Sequence, residues 1–370
     1  MVKFLFAFLL LVHGLIHLMG FAKAFNYAEI SQLTQPISRP AGAAWGLSAL
    51  LFVAATVLLL LKKDSWWMWA LPAVILSQLL IFSSWQDAKF GTIANLITVL
   101  GIAIGYGHWD FKKLTDSELK TFLSQPVQPA SVVTEEKIAT LPPIVQTWLR
   151  RSGVAGKSAI SNVHLRQTGA MRTAPKGNWM PVNAEQYFSI QPPGFLWLAD
   201  VKMMPFVHLA GRDKYMDGKG HMLIEALSLI PVADSKGPEI DQGTMLRYLG
   251  ETVWFPSAAL SDYITWEPLD STSAKATMAW SGVTASGIFY FSENGDMTAF
   301  EADRFYDRKG TSTLERWRIE AKAWRELGGV RIPVQFEVTW KLKEGDFTWF
   351  IFTGLSSPRT TEVVFDEKAE

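Results

Sequence analysis

The residues best suited to chemistry fall in one short segment. Glu239, Asp241, Arg247 and Glu251 lie within thirteen residues of one another. Arg247 and Glu251 are four apart, so on a helix they pair across one turn. A carboxylate near a second carboxylate has a raised pKa, which suits it to act as a general acid or base. Asp241, Arg247 and Glu251 are therefore the candidate catalytic residues. The plainer reading of the same residues is a helix cap followed by a helix ion pair. Asp213, Asp217 and Asp303 join the group only if the fold carries them to it.

A second candidate is the pair His13 and His17. Four residues apart, they share one helix face, and they lie in an apolar run without charge. Ionisable residues at membrane depth are functional candidates by default, so metal, haem and proton-relay chemistry are all open to this pair. Two histidines do not complete a ligand set, and no other apolar run supplies a second pair. The alternative is that neutral imidazoles bond to Gln78 or Asn95 and hold helices together. No cofactor is expected. His164, His208 and His221 are dispersed among strand patterns, and His108 sits at a segment boundary; these read as surface or core histidines. The chain lacks G-x-x-x-x-G-K-[ST], H-E-x-x-H and G-x-S-x-G motifs, and with no cysteine it has neither a thiolate nucleophile nor a disulfide.

What must position these residues? The chain has 370 residues and a formal net charge of +0, which argues against a basic nucleic-acid-binding face. Hydrophobic residues make up 49% of it, concentrated in four runs before Lys112. The runs are Phe4 to Phe21, Ala41 to Leu61, Trp66 to Trp85 and Thr92 to Tyr106. None contains Asp, Glu, Lys or Arg, each of which costs roughly 2.5–3.5 kcal/mol at a membrane helix centre. Spanning the hydrocarbon takes about 20 apolar residues, which the first three runs supply and the fourth approaches with flanking Phe90 and Trp109. Trp66, Trp67, Trp69, Trp85 and Trp109 sit at run ends, where amphipathic rings favour the interface. Lys3 and Ala22-Lys23-Ala24 imitate a cleaved signal peptide, but the run exceeds a usual signal core, and an uncleaved helix is expected.

Gly42–Gly46 and Gly101–Gly105 fit the G-x-x-x-G spacing for close helix approach and make homo-oligomerisation through these faces an expectation. With the N-terminus inside, five lysines (Lys3, Lys62, Lys63, Lys112, Lys113) lie on the inner side against Lys23, Arg39 and Lys89 outside. The positive-inside rule then places the chain as a multi-pass protein of a bacterial inner membrane with its C-terminal part in the cytoplasm.

Residues 110–157 read as a helical linker. Leu114 to Leu123 is a short helix with a Thr115 cap and Glu118 at capping-box spacing. Gln125 to Ser131 is a proline-containing connection. Thr134 to Ala139 and Pro142 to Arg151 are two more helices, the second opened by proline and stopped by Gly153.

From about residue 158 the pattern turns to period two. Strands are predicted at Val163 to Met171, Glu185 to Ile190, Phe195 to Val201, Phe206 to Tyr215, His221 to Pro231, Ile264 to Glu267, Ala274 to Trp280, Thr284 to Phe291, Thr298 to Phe305, Thr313 to Trp324, Ile332 to Trp340 and Phe347 to Phe352. Asp217-Gly218, Asn294-Gly295 and Gly328-Gly329 mark turns. Asp241 to Trp254 interrupts the strands as a helix ending before Pro256, with Met245, Leu246, Leu249 and Val253 on one face. The expected architecture is a transmembrane bundle of about four helices (1–109), the linker (110–157), and an α+β domain (158–370) in which a curled antiparallel sheet or half-barrel wraps the helix. Many aromatic residues in that domain either fill its core or line a cavity, with Trp197, Met245, Leu249 and Trp254 as candidate ligand contacts.

The segments Leu141 to Gly156, Gly177 to Asp200, Gly211 to Ile224 and Gly237 to Pro256 resemble an uncharacterised bacterial family that carries a domain of unknown function, alone or behind membrane helices. The resemblance covers about residues 140–340 and implies no activity and no site residue. In architecture, strands around a helix are similar to the half-barrels of periplasmic lipoprotein carriers. The expected function is binding of a lipid or other apolar ligand beside the bilayer. An enzyme acting on a lipid-borne substrate through Asp241, Arg247 and Glu251, and a structural or interaction protein, are the alternatives.

Overall fold

Uncharged apolar sequence becomes helix wherever backbone polar groups must bond within their own segment. The computed structural model describes residues 2–126, 131–205, 207–308, 310–356 and 364–365. Its first helices are α1 (Val2–Ala24), α2 (Arg39–Leu60), α3 (Trp66–Ser83), the short α4 (Trp85–Ala88) and α5 (Gly91–Leu123). Four of these, α1, α2, α3 and α5, are long and apolar enough to cross a membrane. Ser38 caps α2 by accepting a bond from the Ala41 N–H.

The chain divides into two compact units: residues 1–116 with the turn 227–229, and residues 117–226 with 230–370. In the first unit the burial pattern is inverted relative to a water-soluble bundle. Phe4, Leu50, Phe90 and Leu100 each expose more than half of their surface, while His13, His17, Ser48, Ser77 and Asn95 are buried.

One prediction is corrected here. Leu114 to Leu123 is not a separate helix but the end of α5. Nothing between Tyr106 and Leu114 breaks a helix, so propagation continues. Thr115 donates its hydroxyl back to the Lys112 carbonyl at 3.0 Å rather than capping a new start. The short helices α6 (Glu135–Ile138) and α7 (Pro143–Ser152) follow. Gly153, at φ 77, closes α7 in the left-handed conformation that glycine tolerates. Much of the predicted proline-containing connection, residues 127–130, lies outside the described residues.

The second unit is built from β1 (Asn162–Met171), β2 (Met180–Ser189), β3 (Gly194–Met204), β4 (Val207–Met216), β5 (Lys219–Ala226) and β6 (Ile230–Lys236), then α8 (Pro238–Glu251), then β7 (Ile264–Pro268), β8 (Ser273–Trp280), β9 (Val283–Phe291), β10 (Met297–Arg308), β11 (Thr311–Leu327), β12 (Val330–Leu342) and β13 (Gly345–Ser356). Short 3-10 turns at Thr252–Trp254 and Pro256–Leu260 link α8 to β7. The predicted start of β4 at Phe206 lies outside the described residues. The predicted single strand His221 to Pro231 is two: the chain turns at Leu227 and Ser228, both at positive φ, to make β5 and β6.

Strand order is β6-β5-β4-β3-β2-β1-β13-β12-β11-β10-β9-β8-β7, and every pairing is antiparallel. The sheet is thus two local meanders, β1–β6 and β7–β13, joined along one seam where Arg166 to Met171 pairs with Ser356 to Phe350. Helix α8 touches β4, β5 and β6 at one end and β8, β9 and β10 at the other. A single helix meets both ends only if the sheet curls around it, which makes the half-barrel the sequence predicts. Asp217 and Gly218, both at positive φ, form the predicted hairpin turn between β4 and β5.

The core lies between α8 and the concave sheet face. Phe188, Phe195, Tyr215, Tyr248, Phe255, Phe289 and Phe300 are fully buried there. Each ring removed from water contributes roughly 1.5–3 kcal/mol. Gly250 on α8 faces Phe300, and a Cβ there would come within 2.9 Å of the ring. The helix therefore lies close against β10.

Candidate functional site

Period-two alternation decides which side chains reach the concave face. On β4 the inward series is Leu209, Gly211, Asp213 and Tyr215; on β10 it is Phe300, Ala302, Arg304 and Tyr306. On β1 and β2 it brings in Gln167 and Gln186. Of these, Leu209, Gly211, Asp213, Arg304 and Gln167, together with Arg247, Glu251 and Trp254 from α8 and its continuation, line a cavity of about 240 Å³. Its other walls are largely apolar, among them Trp197, Met222, Ile224, Trp317, Phe336 and Trp349.

A connected polar chain forms one side of this cavity. Arg247 donates from Nε to Glu251 Oε1 at 2.9 Å and from Nη1 to Asp213 Oδ2 at 2.7 Å. Gln186 donates to the other Glu251 oxygen at 2.8 Å and accepts from Gln167 at 2.6 Å. Gln167 in turn accepts from the Trp197 indole N–H at 2.9 Å. The Arg247 guanidinium also packs on the Phe195 and Trp197 rings, 4.9 Å from each centroid. Burial lifts the Glu251 carboxyl above its ordinary pKa, with Arg247 and Gln186 opposing.

Arg304 completes the polar lining. Its guanidinium stacks 4.8 Å from the Trp317 ring centre, and Gly243 of α8 makes room for it, since a Cβ there would lie 3.1 Å from Arg304 Nε. Burial lowers its pKa to about 10, although Asp213 acts in the opposite direction.

The structure separates the three candidate catalytic residues. Arg247 and Glu251 face the cavity. Asp241 faces away: its carboxylate accepts from the Gly220 N–H and the Lys219 ammonium, both at 2.8 Å, and fixes the start of β5 to the helix. Gly237, not Asp241, is the N-cap of α8. Asp213 joins Arg247 as the sequence allowed, whereas Asp217 sits in the hairpin turn and Asp303 pairs with Arg316 on the surface. Among the candidate ligand contacts, Trp197 and Trp254 line the cavity. Met245 and Leu249 are fully buried in the core instead. Sequence reasoning missed Arg304, Gln167 and Gln186. The available signal was a polar residue on the inward phase of an otherwise apolar strand.

In the helical unit the histidine pair is internally satisfied. His17 donates from Nδ1 to the His13 carbonyl at 2.8 Å, which leaves Nε2 to accept from the Ser77 hydroxyl at 2.9 Å. His13 Nε2 donates to Asn95 Oδ1 at 2.9 Å, and Asn95 donates to Gln78 at 3.0 Å. Among the described residues no three His, Cys, Asp or Glu side chains group as a metal site. The dispersed histidines each meet a carboxylate: His164 with Glu185, His208 with Asp200 and His221 with Asp234. The G-x-x-x-G glycines pack within the chain. Added Cβ atoms would approach Ala24 at Gly42, Phe21 at Gly46, Phe6 at Gly101 and Trp66 at Gly105, all closer than 3.0 Å.

Residues 131–352, which include every residue lining the cavity, match the family of unknown function designated DUF6544. No curated protein matches the chain, and neither does any solved structure.

Proposed function

The chain belongs to the DUF6544 family, and we propose that the half-barrel holds a lipid or another apolar ligand in its concave cavity. The observation that carries this reading is the cavity itself: about 240 Å³ walled mainly by aromatic and aliphatic side chains. An apolar cavity of about 150 Å³ stays dry and admits benzene, so this one has room for a larger apolar group. Ligand sites of this kind combine apolar walls with a few convergent polar groups, which Arg247, Glu251 and Arg304 supply. A half-barrel curled on a helix also suits the analogy to the lipoprotein carriers, which is one of architecture alone and carries no function by itself.

The remainder of the reading concerns location. Four long apolar helices with outward-facing Phe and Leu side chains support a multi-pass protein of the bacterial inner membrane, where apolar ligands are at hand. The lysine distribution favours the half-barrel on the cytoplasmic side. A reporter fused after Glu370 tests this: activity only outside the cytoplasm would reverse the assignment.

Ligand binding is tested by native mass spectrometry of the gently purified full chain. The expected result is a co-purifying lipid-sized mass that Gly211→Trp removes. Gly211 is suited to this because a Cβ there meets only ordinary contacts, the nearest at 3.6 Å, while an indole would occupy the cavity. Repeated preparations with no adduct on the wild-type chain would overturn the reading. An enzyme working on the same bound lipid is the second reading, favoured by Glu251, a cavity-lining carboxyl whose pKa burial raises. Turnover of a bound lipid that Glu251→Gln abolishes, with binding retained, would select it.

A further inference from the structure

Five charged residues line the cavity, Arg212, Asp213, Arg247, Glu251 and Arg304, and they are unevenly paired. Arg212 meets Glu118 at 3.0 Å and the His221 carbonyl at 2.6 Å. Arg247 takes both carboxylates, Asp213 at 2.7 Å and Glu251 at 2.9 Å. The second oxygen of Glu251 is bonded to Gln186. Arg304 has no hydrogen bond and no ion pair among the described residues; its contacts are the Trp317 face and the gap left by Gly243. Asp213 Oδ1, buried without a donor, receives none from it.

Arg304 is partly buried at the cavity wall, and a guanidinium in such a recess without a partner is costly, so proteins pair such groups or use them. Its five N–H donors form a rigid fork that matches a carboxylate or a phosphate. The ring beneath it and the helix glycine beside it fix its position, so little conformational freedom is lost when an anion arrives. The neighbouring walls from Trp317, Ile319, Phe336 and Val338 are apolar. Thus, among the described residues, Arg304 is the cavity-lining arginine left without an ion pair, offered to a ligand that is otherwise apolar.

We propose that the ligand is an anionic amphiphile, whose carboxylate or phosphate pairs with Arg304 while its alkyl portion fills the cavity. This rests on the apolar-ligand reading above and specifies its chemistry. Arg304 is then a binding residue, and Arg247 is the scaffold that bonds both carboxylates in its place.

The test uses the full chain in nonionic micelles, titrated with dodecanoate, dodecyl phosphate and dodecanol and read by native mass spectrometry. The two anions are expected to bind about tenfold or more tightly than the alcohol, the effect of one desolvated charge pair. Arg304→Met is expected to remove that advantage, so that the two anions bind no more tightly than the alcohol. Arg304→Lys keeps the charge and is expected to keep part of the preference, which guards against a variant that merely misfolds. Preference between dodecanoate and dodecyl phosphate identifies which anionic head the site takes, and either preference supports the proposal. Equal binding of all three compounds, unaffected by Arg304→Met, would overturn the counter-ion role and leave the apolar cavity standing. Failure of all three to bind the wild-type chain would overturn the apolar-ligand reading and this inference with it.

Discussion

His13 Nε2 lies 2.9 Å from Asn95 Oδ1, joining α1 to α5 between two buried side chains. Removing Asn95 leaves His13 Nε2 only its longer 3.3 Å contact with the Ser77 hydroxyl and breaks the link to Gln78. Asn95→Leu is therefore expected to cost roughly 1–3 kcal/mol, read as a lowered Tm of the full chain in detergent. His13→Gln, which retains a donor, should be tolerated better than His13→Ala. Equal loss in the two, together with loss of a bound metal, would replace the structural role with a ligand role.

Gly42 and Gly101 offer a sharper contrast. A Cβ at Gly42 would fall 2.1 Å from the Ala24 Cβ, whereas one at Gly101 meets the far end of the Phe6 ring at 2.2 Å. Phe6 can swing aside; Ala24 moves only with its helix. Gly42→Ala should therefore destabilise more than Gly101→Ala, with overpacking at the first site costing about 1–3 kcal/mol. The order of the two Tm values checks this.

Arg247 is the shared cation of two buried carboxylates. Arg247→Met strands both, and breaking a buried pair from one side costs about 3–5 kcal/mol. Glu251→Gln keeps the side-chain shape and should cost much less. The raised Glu251 pKa adds a pH signature. A carboxyl raised in the folded state favours folding below its unfolded value, about 4.3, and that contribution is lost as pH rises through the folded value. Denaturation curves of Glu251→Gln should lack this decline.

Asp296 has the opposite sign. Arg331 grips it through two bonds, 2.7 and 3.0 Å, and Arg151 adds a third charge at 3.5 Å. The Arg331 bonds hold its pKa below the ordinary 3.8. Its stabilising contribution is present above that value and disappears as pH falls through the depressed one. Asp296→Asn should remove about 1–2 kcal/mol at neutral pH and flatten the acid limb of the stability curve.

Much of this architecture was legible in the sequence because it follows from periodicity. Uncharged runs gave the four apolar helices, and alternation gave most strands within a few residues. The failures have local causes. His221 to Pro231 conceals a turn because Leu227 and Ser228 adopt positive φ without glycine. Leu114 to Leu123 carries a capping pattern that a continuous helix overrides. At the site, the Arg247–Glu251 pair was legible from spacing along one helix. Asp241 was misjudged because residues six apart face different ways on a helix. The Arg304–Trp317 stack depends on pairing between β10 and β11, and Gly243 meets Arg304 only after the sheet has curled. Such relationships belong to tertiary structure, and local pattern does not encode them.

The seam between β1 and β13 has a consequence for how the domain is made. Within each of the two meanders, β1–β6 and β7–β13, every strand pairs with a neighbour in the chain and can zip as soon as it is synthesised. Met171, by contrast, waits for Phe350. Closing so long a loop must precede the contacts that reward it, so this pairing waits until β13 has been synthesised. Until then β1 presents an unpaired edge, a template for pairing with other chains. The interval before β13 emerges is therefore when a nascent half-barrel is most exposed to aggregation, and a truncation just before Gly345 would make that interval permanent.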